Sequence, residues 1–274
     1  MTTSTSRHGV LLLSALLLIA FTVVILPGCA TTGEDKDPKD TMSAPQLYKE
    51  ANRVMKDGDY ELAIEYLESL ESRFPFGNYA PQAQLETAYA YYKFEEYDNA
   101  IAAANRFIKL HPTHKNVDYA YYLRGLASFH KKDTALDAIA PQDPSLRDPS
   151  AARDSFKYFA ELVKKFPQSK YTPDAIQRMK FQRNTLAEHE VSVARYYMKR
   201  GAYVAVANRA KYVIENYAQT PAVPKALELL IDAYNKLQMH DLALETEMVL
   251  KKNFPDYHTG QGQPAGNKES NTGG

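Results

Sequence analysis

The sequence contains no tryptophan, a single cysteine in 274 residues and no excess of either charge, since 33 Lys and Arg balance 33 Asp and Glu. One cysteine cannot form an intramolecular disulfide, so a disulfide-stabilised framework is excluded. The balanced charge gives no indication of nucleic acid as a partner. The motifs of serine hydrolases, P-loop proteins and zinc proteases are also absent. We therefore expect no enzymatic activity.

Candidate metal ligands are equally scarce. His111 and His114 lie three residues apart, but Pro112 between them places both in a turn and not on one face of a helix. Acidic residues are spread over the surfaces of the predicted helices, so no pair of carboxylates stands out. We expect no catalytic residues, no metal site and no bound cofactor.

An uncharged apolar run occupies residues 10–26, and Arg7 precedes it. A basic start, an apolar core and small residues before a cleavage site are typical of a secretory signal peptide. The sequence LPGC at residues 26–29 resembles a bacterial lipobox, which implies removal of residues 1–28 and covalent lipid on Cys29. The alternative is an uncleaved membrane helix, but the run of 17 residues is shorter than the roughly 20 that a span needs.

Residues 29–43 are rich in charge and lack large aliphatic side chains, which favours a flexible tether. Ala30 would be the second residue of the mature chain. In lipoproteins of Gram-negative bacteria, a residue other than Asp at this position usually accompanies delivery to the outer membrane. We therefore expect a lipid-anchored protein on the periplasmic face of the outer membrane.

The rest of the chain repeats one pattern of small, large and proline residues five times. In residues 80–112 the apolar positions recur at helical spacing in two segments, with a polar turn between them. Pro112 ends the second segment. A small residue, as two closely crossing helices require, is followed seven positions later by a large one. The small residues are Ala63, Ala100, Ser155, Val206 and Ala243, and the large ones are Leu70, Phe107, Leu162, Val213 and Leu250.

Helix-turn-helix units of about 34 residues are typical of tetratricopeptide (TPR) repeats. We predict an all-α superhelical solenoid of five TPR-like repeats, with an unrelated helical bundle as the alternative. Repeats 1 and 2 occupy residues 44–116, repeat 3 residues 117–170, and repeats 4 and 5 residues 171–255. Repeat 3 contains an inserted loop, Thr134–Arg147, and repeat 4 contains one long helix from Pro173 to Lys199. Residues 256–274 are expected to be disordered.

Charge is distributed unevenly along the repeats. Six acidic residues between Asp57 and Glu71 have no basic residue among them, whereas eight basic residues between Arg178 and Lys211 share their stretch with two acidic ones. Such a field steers partners of matching sign. We predict that repeat 4 docks an acidic protein surface, and that reversing Arg209 to Glu weakens the docking. Solvated helix faces are the alternative explanation.

The turn between repeats 1 and 2 is a second candidate binding site. It carries RFPFGNY at residues 73–79, so Phe76 and Tyr79 lie beyond the helix and near the tyrosines of residues 89–92. Aromatic residues beside the concave face of a solenoid can form a pocket for an extended peptide. Packing between the two repeats is the alternative.

Several segments together resemble one protein family. They are the lipobox, the five repeats, residues 73–114, VDYAYYLRGL at 117–126 and RGAYVAVANR at 200–209. From about Pro45 to Pro255 the chain is similar to the BamD family of outer-membrane assembly lipoproteins. The resemblance implies a non-catalytic scaffold of the β-barrel assembly machinery. It also implies three kinds of protein partner, namely the POTRA domains of BamA, companion Bam lipoproteins and unfolded outer-membrane proteins.

The same resemblance implies site residues. A family turn of the form [RN]-[YF]-P-F-G lies near the proposed client pocket, and the corresponding residues are Arg73, Phe74, Pro75, Phe76, Gly77 and Tyr79. A second motif, GA-[WY]-VAV-x-NR, faces BamA, and with the basic stretch it gives the docking residues Arg195, Lys199, Arg200, Tyr203, Asn208 and Arg209. The alternative function is a periplasmic TPR lipoprotein that scaffolds a different envelope complex, for cell-wall or pilus assembly. The sequence leaves open the client preference and the roles of the Thr134–Arg147 loop and the glycine-rich tail.

Overall fold

The computed structural model describes residues 37–131 and 148–258, and within them every regular element is an α-helix. The all-α prediction is therefore confirmed for this part of the chain. The helices are α1 (Pro38–Thr41), α2 (Ala44–Asp57), α3 (Tyr60–Arg73), α4 (Ala80–Lys93), α5 (Tyr97–Leu110), α6 (Val117–His130), α7 (Ser150–Lys165), α8 (Thr172–Lys199), α9 (Tyr203–Asn216), α10 (Ala222–Lys236) and α11 (His240–Asn253).

Five predicted features lie wholly or partly outside the described residues: the signal peptide, Cys29, the tether, the Thr134–Arg147 loop and most of the tail. The predicted tether at 29–43 is described only from residue 37. There α1 forms a single turn, which the Asp37 carboxylate caps by accepting a hydrogen bond from the Lys39 amide at 2.9 Å. This turn belongs to a unit that ends at Ser43, and the helices from Ala44 onward form a separate compact unit.

Helices α2 to α11 form five consecutive hairpins. Each helix packs against the next one in the chain, and first helices also contact the first helix of the following hairpin, α4 against α6 and α8 against α10. This is the stacking of a solenoid, in which each repeat contacts its neighbours only. The predicted five-repeat solenoid is confirmed.

The residues that align between repeats in the sequence are also the residues buried in the core. All five small residues and all five large residues named for it are at most 4% exposed. Each second helix ends in the same way, with an amide that donates a hydrogen bond of 2.8–2.9 Å to the carbonyl of the large residue four positions earlier. The five donors are Phe74, His111, Phe166, Tyr217 and Phe254.

The turn inside four hairpins has a residue in the left-handed region at an equivalent position. These residues are Gly58 and Glu95, 37 positions apart, and Gly201 and Gln238, again 37 apart. Glycine adopts positive φ without steric cost, and Gly58 (φ 84°) and Gly201 (φ 71°) use that freedom. Gly201 thereby ends the long helix α8, as its position in the sequence predicts.

Helix α8 is the longest element, with 28 residues from Thr172 to Lys199. At 1.5 Å per residue it is about 42 Å long, in agreement with the predicted long helix of repeat 4. Its N-terminal Ala175 joins the core around α6 and α7, and its later residues Val191 and Ala194 join the core of repeats 4 and 5. One rigid element therefore contributes to both cores.

Candidate functional site

A pocket rich in tyrosine lies between repeats 2 and 3. It has a volume of about 320 Å³, within the range of small-ligand and side-chain pockets. Helix α4 supplies one wall, the start of α6 a second, and the turn before α8 a third. The lining residues are Gln82, Leu85, Glu86, Tyr89, Asn116, Tyr119, Lys170 and Tyr171.

The aromatic rings of this pocket are held by one another. Tyr119 and Tyr171 have ring centroids 5.2 Å apart, and Tyr171 also stacks on Tyr122 at 4.8 Å. Burial, reinforced by the neighbouring tyrosines, raises the pKa of Tyr119, so its phenol stays neutral. Packed rings of this kind provide rigid apolar area at low entropic cost, which suits an aromatic guest.

The two charged residues of the lining differ in their availability. The Glu86 carboxylate already accepts hydrogen bonds from Tyr48 and Gln82, each at 2.8 Å. Lys170 is exposed, with its ammonium 5.0 Å from the centre of the Tyr171 ring. The pocket therefore combines an aromatic interior with one carboxylate, Glu86, whose hydrogen-bond donors are neutral, and one exposed ammonium group, that of Lys170.

The predicted client-binding residues of the first inter-repeat turn lie outside this lining. Phe76 is fully exposed, and Arg73 lies over the ring of Phe74 at 5.1 Å. Tyr79 packs against Tyr48 with centroids 5.0 Å apart, and the amide of Gly77 donates to the Phe74 carbonyl at 3.0 Å. The turn thus presents one apolar ring, Phe76, to solvent and uses Tyr79 for packing between repeats.

Sequence reasoning did not single out Tyr119, Lys170 or Tyr171. A signal for Tyr171 does exist: YTP at 171–173 repeats the YAP at 79–81, and both tyrosines immediately precede a first helix, α8 and α4 respectively. No local pattern indicates Tyr119, because its pocket role depends on the packing of α4 against α6.

The predicted docking residues lie around the junction of α8 and α9. Lys199, Arg200, Asn208 and Arg209 are exposed, and Arg195 and Tyr203 are half-buried. Tyr196, 54% exposed, supports Arg200 with its ring at 5.2 Å. These residues form a basic surface with one exposed aromatic ring, which we call the α8–α9 surface.

Arg209 has an internal partner that the sequence does not reveal. Its guanidinium donates to the Glu190 carboxylate at 2.8 Å, and the side chain of Glu190 is only 9% exposed. Glutamate at position 209 would therefore place two carboxylates together in a poorly solvated site. The predicted Arg209→Glu test would report on folding as well as docking, whereas the exposed Lys199 and Arg200 are free of this complication.

Fewer of these charged side chains are available to a partner than the sequence count suggests. Arg178 pairs with Asp174 at 2.6 Å, and Arg183 donates to a backbone carbonyl at 2.8 Å. In the acidic stretch, Asp57 pairs with Arg53, Asp59 caps α3 and Glu71 pairs with Arg106. The difference in charge between the acidic stretch and the basic stretch persists, but it depends on fewer side chains than the sequence count suggests.

Neither a metal cluster nor a membrane helix is found in the described ranges. Groups of three or more His, Cys, Asp or Glu that could hold a metal ion are absent from residues 37–131 and 148–258. His111 lies 2.9 Å from the Gln84 amide oxygen and packs on Phe107. No helix of the same residues is long and apolar enough to cross a bilayer.

Comparison with known proteins gives a consistent result. The family model named YfiO, described as an outer membrane lipoprotein, matches residues 40–250. The outer membrane protein assembly factor BamD of Neisseria gonorrhoeae is 50% identical over 233 residues, which cover 84% of this chain and 87% of that protein. BamD of Pasteurella multocida (strain Pm70) is 36% identical over 238 residues, which cover 86% and 91%.

Among solved structures, a thermophilic TPR protein of Thermus thermophilus covers 78% of this chain and 93% of its own length, with 14% identity and a TM-score of 0.35. The sequence relationships are much stronger, because they span most of the chain at up to half identity. This chain belongs to the BamD family of outer membrane lipoproteins.

Proposed function

We propose that the protein is a non-catalytic assembly factor for outer-membrane proteins, anchored by lipid on Cys29 at the periplasmic face of the outer membrane. In this role it binds unfolded clients and couples them to the β-barrel assembly machinery through the POTRA domains of BamA and companion Bam lipoproteins. Family membership supports the general role. The binding surfaces below support the more specific one.

The tyrosine pocket between repeats 2 and 3 is the observation on which client binding rests. Tyr89, Tyr119 and Tyr171 line the pocket with aromatic surface that suits an aromatic side chain, and the exposed Lys170 offers a cation. A chain end with a terminal aromatic residue presents both complementary groups, a ring and a carboxylate. The exposed ring of Phe76, on the preceding inter-repeat turn, adds an apolar contact for an extended chain.

The α8–α9 surface supports docking to a folded partner. Lys199 and Arg200 are exposed at the end of the longest helix, beside the exposed ring of Tyr196. A basic patch with an aromatic side chain fits an acidic protein surface, and its charge accelerates association at low salt. We assign this surface to the POTRA domains of BamA.

The client proposal can be tested with a fluorescent decapeptide that ends in phenylalanine, in free-acid and amidated forms. Full-length protein in detergent micelles is titrated and the peptide's fluorescence anisotropy is recorded. We expect amidation to weaken binding by about tenfold, because loss of one charge-assisted contact costs on the order of 1.4 kcal/mol. Lys170→Gln should weaken binding of the free acid by a similar factor.

A double-mutant cycle makes this test specific. Lys170→Gln should not further weaken the amidated peptide, because both changes remove the same contact. Lys164→Gln, an exposed lysine of α7 outside the pocket lining, is the matched control and should leave affinity unchanged. Equal affinity for the acid and the amide, or equal losses in the two lysine variants, would reject the pocket as a client site.

A further inference from the structure

The last helix that the structure describes exposes more large apolar side chains than its counterparts in the other repeats. On α11, Leu242, Leu244, Met248 and Val249 are 42–64% exposed. Among the other second helices of the hairpins, whose residues are all described, α3 and α7 expose no large apolar side chain, α5 exposes one and α9 exposes two. Apolar side chains that gather on one surface mark contact with another molecule.

Stacking of the hairpins does not require these apolar residues. In the register set by the five small residues, Met248 and Val249 lie five and six positions after Ala243. In each of repeats 1 to 4 the same two positions include a charged residue. The equivalent residues are Glu68 and Ser69, Asn105 and Arg106, Ala160 and Glu161, and Lys211 and Tyr212. Repeat 5 therefore departs from the repeat pattern by making this face apolar.

Charged side chains are ordered along the same side of the helix. Asp241, Glu245 and Lys252 are exposed. With Met248 they follow the spacing i, i+4, i+7 and i+11, which places residues in one stripe along a helix. Apolar residues lie on both flanks of this stripe, Leu244 on one flank and Leu242 with Val249 on the other. We call these seven residues the α11 face.

The charges of the α11 face are not neutralised by neighbouring side chains. None of its three charged side chains forms an ion pair or a hydrogen bond within the described residues. Elsewhere on α11, Glu247 and Lys251 pair with each other at 2.7 Å, and His240 lies off the stripe. The α11 face is therefore negative in its first half and positive near its end.

We propose that the α11 face pairs with the same face of a second copy of this chain, with the two helices antiparallel. A two-fold axis through the middle of the pair brings Asp241 of each copy level with Lys252 of the other, and Glu245 lies one turn from the same lysine. The flank that carries Leu242 and Val249 faces itself across this axis, so Leu242 of each copy packs against Val249 of the other. Each of these contacts occurs twice in the dimer.

The order of the charges favours a second copy over other occupants. Asp241 and Glu245 repel an acidic partner of the kind expected at the α8–α9 surface, whereas Lys252 repels a uniformly basic one. An antiparallel copy presents the opposite charge at both ends. The chain's own residues 259–274 contain no large apolar side chain that could cover the α11 face. Because a single helix pair is a small interface, we expect micromolar affinity and not an obligate dimer.

Sedimentation equilibrium of the full-length protein in detergent micelles, over a wide range of concentration, tests the proposal. Wild type should dimerise as the concentration rises. Asp241→Lys should weaken dimerisation about tenfold, because it places two lysines together at each end of the helix pair. All variants carry the same anchor, so association through shared micelles would be equal in all of them.

Matched controls separate the α11 face from general effects of charge and polarity. Glu61 is exposed and occupies in repeat 1 the position of Asp241, two residues before the small residue and in the first turn of its helix. Glu61→Lys therefore makes the same change of charge and should leave dimerisation unchanged. Met248→Gln should weaken the dimer, whereas Leu110→Gln, at an exposed apolar residue of α5, should not.

A mixing experiment tests the antiparallel arrangement. Lys252→Asp alone should also weaken dimerisation, because it places two carboxylates together at each end of the pair. An equimolar mixture of Asp241→Lys and Lys252→Asp restores opposite charges at both ends, so mixed dimers should form with about the affinity of wild type. Far-ultraviolet circular dichroism of each variant establishes that the helices are intact.

Three results would overturn this assignment. One is a wild-type protein that stays monomeric at every concentration, which would leave the α11 face to a different protein. Another is equal dimerisation of Asp241→Lys and Glu61→Lys. The third is a mixture of Asp241→Lys and Lys252→Asp that associates no better than either variant alone.

Discussion

Gly125 determines how closely α6 and α7 approach each other. A Cβ atom at this position would lie 2.5 Å from Cε1 of Phe159, a fully buried ring. On the facing helix, the hydroxyl of Ser155, one of the small repeat residues, donates to the Gly125 carbonyl at 3.1 Å. Both helix faces are therefore adapted to close contact at this crossing.

Gly125→Ala should destabilise the protein although alanine is the better helix former. The methyl group collides with the Phe159 ring, and overpacking of a filled core costs about 1–3 kcal/mol, more than the roughly 1 kcal/mol that alanine gains over glycine in a helix. We expect a net loss of about 1 kcal/mol, and at most about 2 kcal/mol, seen as a lower urea midpoint at unchanged m-value.

A substitution of Phe159 tests whether the steric collision with its ring causes the effect of Gly125→Ala. Phe159→Leu alone leaves a cavity and destabilises the core. Combined with Gly125→Ala it should cost less than the sum of the single changes, because the smaller side chain leaves room for the methyl group. Strict additivity would contradict the proposed contact.

At the scale of helices, Asp174 links the long helix α8 to α6. The Tyr122 hydroxyl of α6 donates to the Asp174 carboxylate at 2.6 Å, and Arg178, one turn along α8, donates to it at 2.6 Å. Burial opposes ionisation of Asp174, but these two hydrogen bonds outweigh it and lower the pKa of the carboxyl group. Near the start of α8 the negative charge also complements the helix dipole.

This lowered pKa predicts a pH-dependent contribution to stability. A carboxyl group whose pKa is lower in the folded than in the unfolded protein stabilises above its unfolded pKa, and the stabilisation is lost as pH falls through the folded pKa. Asp174→Asn should therefore lower the free energy of unfolding at pH 7. The difference from wild type should shrink as the pH falls below the ordinary Asp value of about 3.9.

Urea unfolding of both proteins between pH 3 and 7 provides the measurement. Asp118→Asn on α6 is a useful comparison, because Asp118 accepts a hydrogen bond from the neutral Ser169 hydroxyl at 2.7 Å and not from a cation. A pH-independent difference between wild type and Asp174→Asn would show that Asp174 acts through packing and not through its charge.

How much of each element could be predicted depends on the range of the interactions that form it. The five hairpins and the long helix follow from spacing along the chain, because a buried stripe and a terminating proline are local signals. The hydrogen-bond partners of Arg124 cannot be predicted from spacing along the chain. This buried side chain joins Asn105 of α5 at 2.8 Å and Glu161 of α7 at 2.7 Å. These two hydrogen-bond acceptors lie 19 residues before and 37 residues after Arg124 in the sequence, so no local pattern reveals them.

The candidate sites were harder to predict for the same reason. The charge of residues 178–211 locates the α8–α9 surface, but the Arg209–Glu190 pair is visible only once α8 and α9 are packed. The tyrosine pocket draws residues from α4, α6 and the turn before α8, so no single stretch contains it. Local spacing determines the helices, whereas pockets and charge pairs arise from their assembly.

For the whole molecule, the surfaces are arranged in chain order. The tyrosine pocket is formed by repeats 2 and 3 together with Tyr171 at the start of repeat 4, and the α8–α9 surface lies further along repeat 4. A client and an acidic partner could therefore bind at once, because the tyrosine pocket and the α8–α9 surface share no residue. Simultaneous binding near a membrane also requires an anchor, and Cys29 is the proposed one.

Cys29→Ser should release the protein from membranes without unfolding it. Lipid chains contribute about 0.8 kcal/mol for each buried CH₂ group, so two or more chains would give firm attachment. The proposed processing would remove the apolar signal run, which then could not hold the mature protein on the membrane. We expect wild type to stay in the membrane fraction after washing with high salt and with carbonate. Intact mass should begin at Cys29 with added acyl groups. If the mature Cys29→Ser protein, without residues 1–28, stays equally membrane-bound, or if wild type retains residues 1–28 and carries no acyl group, the lipid assignment is wrong.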